Sequence, residues 1–593
     1  MAFEFVWDDP WRFFENFNIS QLSVSNISQA ATTDMFMFVP YLIWYLLKML
    51  GGGTYDPFYF HLFNLGIHIS NGLLLFCFLF RMTRHKGAAL FGTLLFLVHP
   101  LQTEAVCYVS NLGGLTGTFF GLILVNLLVK NTKASYVVAL AVFIPAILSK
   151  PIMAGLPLTV FVIFFVVLCS GFKKSLIKTL PFVIILVPVL ITTNLNQPDV
   201  AIQVQSPLWA RPLIFMDAVN FYLLKVINPL TLAATYARKP HTLILEWWFF
   251  IEWVIPVLFG TAALLLRKKQ PWFLTALTMI VAGFLPVSGL VIFGFQEWST
   301  VADRYFYFSM AGISLFLSCM VRHINKQAVW SIPVLVIGLL ALRTSLVQVP
   351  VWKTNLSLWD HCIAITQSEG RAYNNRGKEL IEMGRLNEAL NDLNKAVTLR
   401  PENEFARLNR GAVFHMQGKY DEAVQDYTEA IKINPQLAKA YFNRGTTHYA
   451  LNKNVEALND YNTLLSMQPA HAKGYNNRGN VLRRLKQFQS AITDFTTAIQ
   501  LDPNFTPPFY NRAMTYLGIL DFQNAITDLS RYVIANPNHE DSYIKRGGAL
   551  LRLKRPKEAL DDFNHALEIN PNNPETKKKI QQILEMLEPK KSN

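Results

Sequence analysis

The chain has 593 residues, 52% of them hydrophobic and 16% charged, and a formal net charge of +14, so it is longer than one ordinary domain. The positive charge does not point to nucleic acid, because in the first half the basic residues stand between apolar runs of bilayer-spanning length, where membrane topology accounts for them. Five cysteines without a CxxC pair argue against a zinc finger or a disulfide framework.

Composition divides the chain. Up to about Val349 it is dominated by Phe, Leu, Ile, Val and Trp, and beyond Thr354 it reads as ordinary soluble helix. The expectation is an all-α protein, a polytopic helix bundle in the lipid bilayer followed by a soluble helical array. Cys77, Cys169 and Cys319 fall in apolar segments and are expected to pack there.

Residues 1–57 are read as an outer-face loop that carries an acidic pair, Asp8 and Asp9, in WDDP. The start lacks the basic-then-apolar order of a cleavable signal peptide. Residues 35–50 are apolar but short for a span of about 20 residues, and are expected to lie at the interface. Residues 58–349 form the multi-span region, with spans expected at 58–81, 87–101, 113–130, 134–150, 152–170, 177–194, 247–266, 272–293, 305–322 and 328–346. The connectors at 81–86, 130–133, 172–178, 267–270 and 322–326 are basic and alternate with connectors that are not. Placing the basic ones in the cytoplasm requires that 208–227 does not cross fully, and puts both chain ends outside.

Four places in this half carry chemistry. Asp8 and Asp9 form either a solvated turn before Pro10 or a general base made more basic by lipid and aromatic rings. His99 and Glu104 come as HPLQTEAV at the outer end of a span. A buried ionisable residue at membrane depth is a functional candidate, while His99 alternatively satisfies a carbonyl freed by Pro100. Lys150 in LSKP snorkels to the interface or binds an anion. Asp303, Arg304 and Tyr305 follow an outer loop. The planar fork of Arg304 suits a phosphate or carboxylate, and the bland alternative is a pair between Asp303 and Arg304.

Residues 350–371 read as a linker helix and 372–571 as six repeats. Gly377, Gly411, Gly445, Gly479, Ala513 and Gly547 step by 34 residues, as do the prolines from Pro401 to Pro571 and the alanines from Ala389 to Ala559. Small residues where two helices meet and a proline at each end describe the helix-turn-helix unit called TPR. Each repeat also places an arginine in its first helix, Arg376 to Arg546, and an aspartate 16 residues later, Asp392 to Asp562, which predicts a salt bridge inside each unit. The preceding residues Asn375, Asn409, Asn443, Asn477 and Asn511 are expected to line the groove and pair with the backbone of an extended polypeptide. Residues 572–593 read as a capping helix and tail.

The order of FVWDDP, PFYFHLFNLGIHISNGLLL, LFLVHPLQTEAVCYVSN, LSKPIMAGLP, VINPLTLAATYA, VADRYFYFSMAG and VWKTNLSLWDHCIAI before the repeats resembles the transmembrane and TPR-containing O-mannosyltransferases and their bacterial relatives. That family belongs to the GT-C glycosyltransferases, whose hallmark acidic pair matches Asp8 and Asp9. This chain departs from the family in having Asp8 close to Met1 with no membrane helix ahead of it, Val39-Pro40 where Arg-Pro is usual, and Asn111-Leu112-Gly113-Gly114 after HPLQTEAV.

The resemblance implies transfer of a mannose-like sugar from a polyprenyl-phosphate carrier to Ser/Thr hydroxyls of exported proteins. Asp8 or Asp9 would serve as base, Arg304 and Lys150 would hold the donor phosphate, and His99, Glu104, Asp303 and Tyr305 are further active-site candidates. The repeats would bind the acceptor. No metal or other cofactor is required, though a divalent cation at the acidic pair stays open. A multi-pass protein of the bacterial inner membrane, with the repeats on the extracytoplasmic side, is the corresponding location. The other readings are a non-catalytic membrane-anchored TPR scaffold and an oligosaccharide ligase or polymerase.

Overall fold

In the computed structural model of the chain the described residues are 4–6, 23, 37–195, 206–236, 238–290, 299–324 and 330–587. Asp8 and Asp9 lie outside them. All regular structure among the described residues is helical. The chain divides into two compact units, Met1–Ala372 and Tyr373–Asn593.

Among the described residues of the first unit five helices are long and apolar enough to cross a membrane, Pro57–Thr83, Val109–Lys130, Phe172–Thr193, Trp247–Leu266 and Ser331–Val351. The last two bury only 11% of their apolar windows, leaving leucine and isoleucine side chains turned outward, which suits contact with lipid rather than water.

The expected span at 87–101 is broken. Helix Lys86–Val98 and segment Pro100–Cys107 meet at 51°, because Pro100 cannot donate to the helix and His99, in extended backbone, accepts from the Leu101 N–H at 3.2 Å through Nδ1. Four more expected spans form shorter helices, Lys133–Ser149, Pro151–Val167, Pro271–Ala282 and Ser309–Val321. Glycine lets these pack closely. A Cβ on Gly155 would strike the Ala282 backbone, and one on Gly312 would come within 2.6 Å of the Ala276 carbonyl, the small-residue contact typical of membrane helices. Cys319 is buried as expected, whereas Cys77 and Cys169 are exposed. An apolar segment has an outward face as well as a packed one, and these two sit on the former.

The second unit is a stack of helix pairs such as Glu404–Met416 with Tyr420–Ile433 and Ala472–Arg484 with Phe488–Leu501. Ala389, Ala423, Ala457, Ala491, Ala525 and Ala559 are fully buried, and the glycine series faces the partner helix, as where a Cβ on Gly411 would lie 2.8 Å from the Tyr427 ring. Helix Pro574–Leu587 closes the stack, burying Ile583 with Leu550 and Phe563.

The predicted salt bridges form in all six repeats. Nε and Nη2 of each arginine donate to the two oxygens of the aspartate 16 residues on, at 2.6–3.0 Å. From the second repeat onward the remaining Nη1 donates backward to Asn394, Thr428, Asn462, Thr496 or Ser530 of the preceding repeat, at 2.7–3.1 Å. One guanidinium therefore joins three helices.

Two predictions follow the geometry. Asp460→Ala leaves Arg444 half-buried without its bidentate partner and lowers the stability of the array by about 2 kcal/mol; urea unfolding followed by circular dichroism checks it, and unchanged stability refutes it. Leu520 is exposed and holds φ at 65° in a turn where the first two repeats place Gly384 and Gly418. Leu520→Gly relieves the left-handed conformation and raises stability by about 1 kcal/mol, read in the same experiment.

Candidate functional site

The break at His99 and Pro100 brings Glu104, on the short helix Thr103–Cys107, against the 3-10 helix Asp303–Phe306. Arg304 forms an ion pair with Glu104, and its backbone N–H donates to the other carboxylate oxygen at 3.1 Å. Both side chains are buried, as the desolvation of two charges demands partnership. The guanidinium lies 5.0 Å from the Tyr305 ring centre and 5.7 Å from that of Tyr108.

Lys150 stands where helix Lys133–Ser149 gives way to the 3-10 segment Pro151–Gly155. Its ammonium donates to Asn111 Oδ1 at 2.7 Å and lies 5.8 Å from the Tyr305 ring centre. Glu104, Arg304, Lys150 and Tyr305 thus form one cluster.

Asp303 is not the partner of Arg304. Its two oxygens accept from the Tyr236 hydroxyl at 2.8 Å. Burial, reinforced by the nearby Glu104 carboxylate, pushes its carboxyl well above the usual carboxylate range. His99 is engaged at both ring nitrogens, Nδ1 with Leu101 N and Nε2 with the Val226 carbonyl at 3.1 Å, so it joins helix Arg211–Ile227 to the break instead of presenting a ring nitrogen to a ligand.

Other groups here carry no mark in the local sequence. Gln102 Oε1 and Thr103 Oγ1, beside Glu104, are buried with no hydrogen-bond partner among the described residues, which leaves acceptor and donor capacity next to the ion pair. His68, Asn71 and Tyr307 make a buried polar knot, with His68 Nδ1 at 2.7 Å and Asn71 Nδ2 at 3.1 Å from the Tyr307 hydroxyl. The connector adds an Arg238–Asp217 ion pair and Lys225, which donates to Thr231 and lies 4.9 Å from the Tyr236 ring centre. Among the described residues no group of three or more His, Cys, Asp or Glu could hold a metal ion.

In the second unit the first helices of repeats one to three line a groove of about 320 Å³, which includes Asn409 and Asn443. Asn375, Asn374 and Asn409 are hydrogen-bonded in series, as are Asn477, Asn476 and Asn511, at 2.8–3.1 Å. Within each of these two runs the amides order one another across neighbouring repeats.

Profiles of the tetratricopeptide repeat match residues 377–418, 414–452, 438–471, 472–505 and 510–574. A protein O-mannosyl-transferase of Caenorhabditis elegans is 23% identical over 362 residues, 58% of this chain and 51% of that protein. The chain therefore spans about half the length of the curated relative it matches. Among solved structures, YrrB, described as a TPR protein with an unusual peptide-binding site, is 18% identical over 32% of this chain and 97% of its own, with a TM-score of 0.29. PilF of Pseudomonas aeruginosa is 16% identical over 37% of this chain and 98% of its own, with a TM-score of 0.33. The C-terminal unit is thus a TPR array; it follows in sequence an apolar unit with five candidate membrane helices among the described residues, and the chain has distant similarity to an O-mannosyl-transferase.

The buried ion pair predicts an asymmetry. Arg304→Ala strands the Glu104 carboxylate and costs about 3–5 kcal/mol, while Glu104→Leu with Arg304→Met restores most of the loss. Thermal unfolding of the detergent-solubilised chain measures both, and an Arg304→Ala variant that unfolds with the parent refutes the pairing.

Proposed function

We propose that the chain is a membrane glycosyltransferase of the GT-C type. It moves a mannose-like sugar from a polyprenyl-phosphate carrier to Ser/Thr hydroxyls of polypeptides held in the groove of its repeats, on the extracytoplasmic side. One observation carries most of this reading. The match to the O-mannosyl-transferase covers 58% of the chain, more than the whole of Tyr373–Asn593, so the similarity extends into the apolar unit and is not the repeats alone. Support comes also from the cationic groups beside buried, unsatisfied polar atoms at the helix break, a setting suited to an anionic ligand.

In the proposed reaction the acceptor hydroxyl attacks the anomeric carbon of the donor. Its proton passes to the carboxylate of Asp8, with Asp9 as the second candidate. The new carbon–oxygen bond forms as the bond to the phosphate oxygen breaks, and the polyprenyl phosphate leaves with the electron pair. Attack opposite the leaving group inverts the anomeric configuration. Lys150 and Arg304 stabilise the charge that develops on the phosphate, and Glu104 holds the Arg304 fork in a fixed orientation. The asparagines of the groove hold the acceptor backbone without regard to sequence.

Transfer of radiolabelled mannose from polyprenyl phosphate to a Thr-rich polypeptide tests the assignment. Asp8→Asn is expected to lower kcat by at least about 100-fold, and Lys150→Met to lower kcat/KM by about 10- to 100-fold. Equal transfer by parent, Asp8→Asn, Asp9→Asn and Lys150→Met removes the catalytic assignment, and no transfer by the parent favours a membrane-anchored scaffold.

A further inference from the structure

We propose that the groove of the repeat array selects an acidic segment of polypeptide, and that Arg483 of the fourth repeat receives one of its carboxylates. The inference rests on the groove being a polypeptide-binding face and adds the chemistry of what it holds.

The groove walls identify which positions of a repeat face the ligand. Lys378, Ile381, His415 and Lys439 are among them. The 34-residue step carries Ile381 and His415 onward to Arg483, Lys378 to Asn480, and Lys439 to Lys473. The fourth repeat therefore puts a guanidinium, an amide and an ammonium where earlier repeats already place two lysines.

Arg483 differs from the arginines around it. Arg478 is bound to Asp494 and Asn462, and Arg484 donates to the Tyr449 carbonyl and Asn452 Oδ1. Arg483 Nε and Asn480 Oδ1 are screened from solvent yet have no hydrogen-bond partner among the described residues. A donor shielded from water without an acceptor is unfavourable until a ligand supplies one. The planar guanidinium fits a carboxylate through two parallel hydrogen bonds.

Asp541 is engaged elsewhere, accepting from the Tyr510 hydroxyl at 2.6 Å. With Lys439 and Lys473 on the same face, the groove presents positive charge to whatever lies along the asparagine series, which favours aspartate or glutamate over neutral or basic side chains.

Binding of two fluorescein-labelled peptides to the full chain in detergent tests this, one alternating threonine with aspartate and the other threonine with asparagine. The parent is expected to bind the aspartate peptide about 10-fold more tightly at low salt. Arg483→Gln is expected to abolish that preference while keeping the affinity for the asparagine peptide, which also shows that the array remains folded. Equal affinities in the parent overturn the acidic selection and leave the groove as a polypeptide site, and a preference that survives Arg483→Gln overturns the assignment of a carboxylate to Arg483. Failure of the parent to bind either peptide overturns both the selection and the polypeptide-binding reading beneath it.

Discussion

The guanidinium fork repeated every 34 residues is the interaction on which the second unit depends. Each arginine spends two donors on the aspartate of its own repeat and, after the first, one on the repeat before. A lysine would supply a charge but not three donors in one plane. The pairs thereby fix the helix crossing within a repeat and the rotation between repeats at once. In a quasi-one-dimensional stack, where stability is the sum of unit and nearest-neighbour contributions, the same side chain contributes to both. The ordered asparagine series is a consequence, because its amides meet across repeats only if the stacking angle is held.

The first unit obeys a different constraint. With little water to satisfy polar groups, each buried one needs a protein partner, and the partners come from distant chain segments. Glu104 with Arg304, Asp303 with Tyr236, and His68 with Tyr307 join residues that are far apart in sequence. The helix break at Pro100 belongs to the same economy. It frees a turn of backbone, His99 satisfies part of it, and Glu104 is carried to Arg304.

These two constraints explain what the sequence reveals. The repeats are legible because helix, turn and crossing recur locally, and the 16-residue offset from Arg376 to Asp392 returns in every copy. The backward bonds to Asn394, Thr428, Asn462, Thr496 and Ser530 share that period, but three residue types fill the position, so it resembles ordinary polar surface. In the apolar unit the existence of helices is legible from hydropathy, whereas their close crossings depend on which glycine meets which backbone. The site is legible as a set of charged residues at apolar ends. Its pairing is not, since adjacency suggests Asp303 with Arg304 while the fold gives each a partner elsewhere, and Tyr236, Lys225, Asp217 and Arg238 lie in a connector with no periodic signal.

Helices Pro271–Ala282 and Ser309–Val321 hold 12 and 13 residues, and at about 1.5 Å per residue they rise about 20 Å, against a hydrocarbon core of about 30 Å. A bilayer meets such a mismatch by thinning beside the short helices. Arg304, just ahead of the second of them, then sits nearer to aqueous depth than a full-length span would allow. Membrane thickness thereby becomes a variable in how deeply the Glu104–Arg304 ion pair is buried.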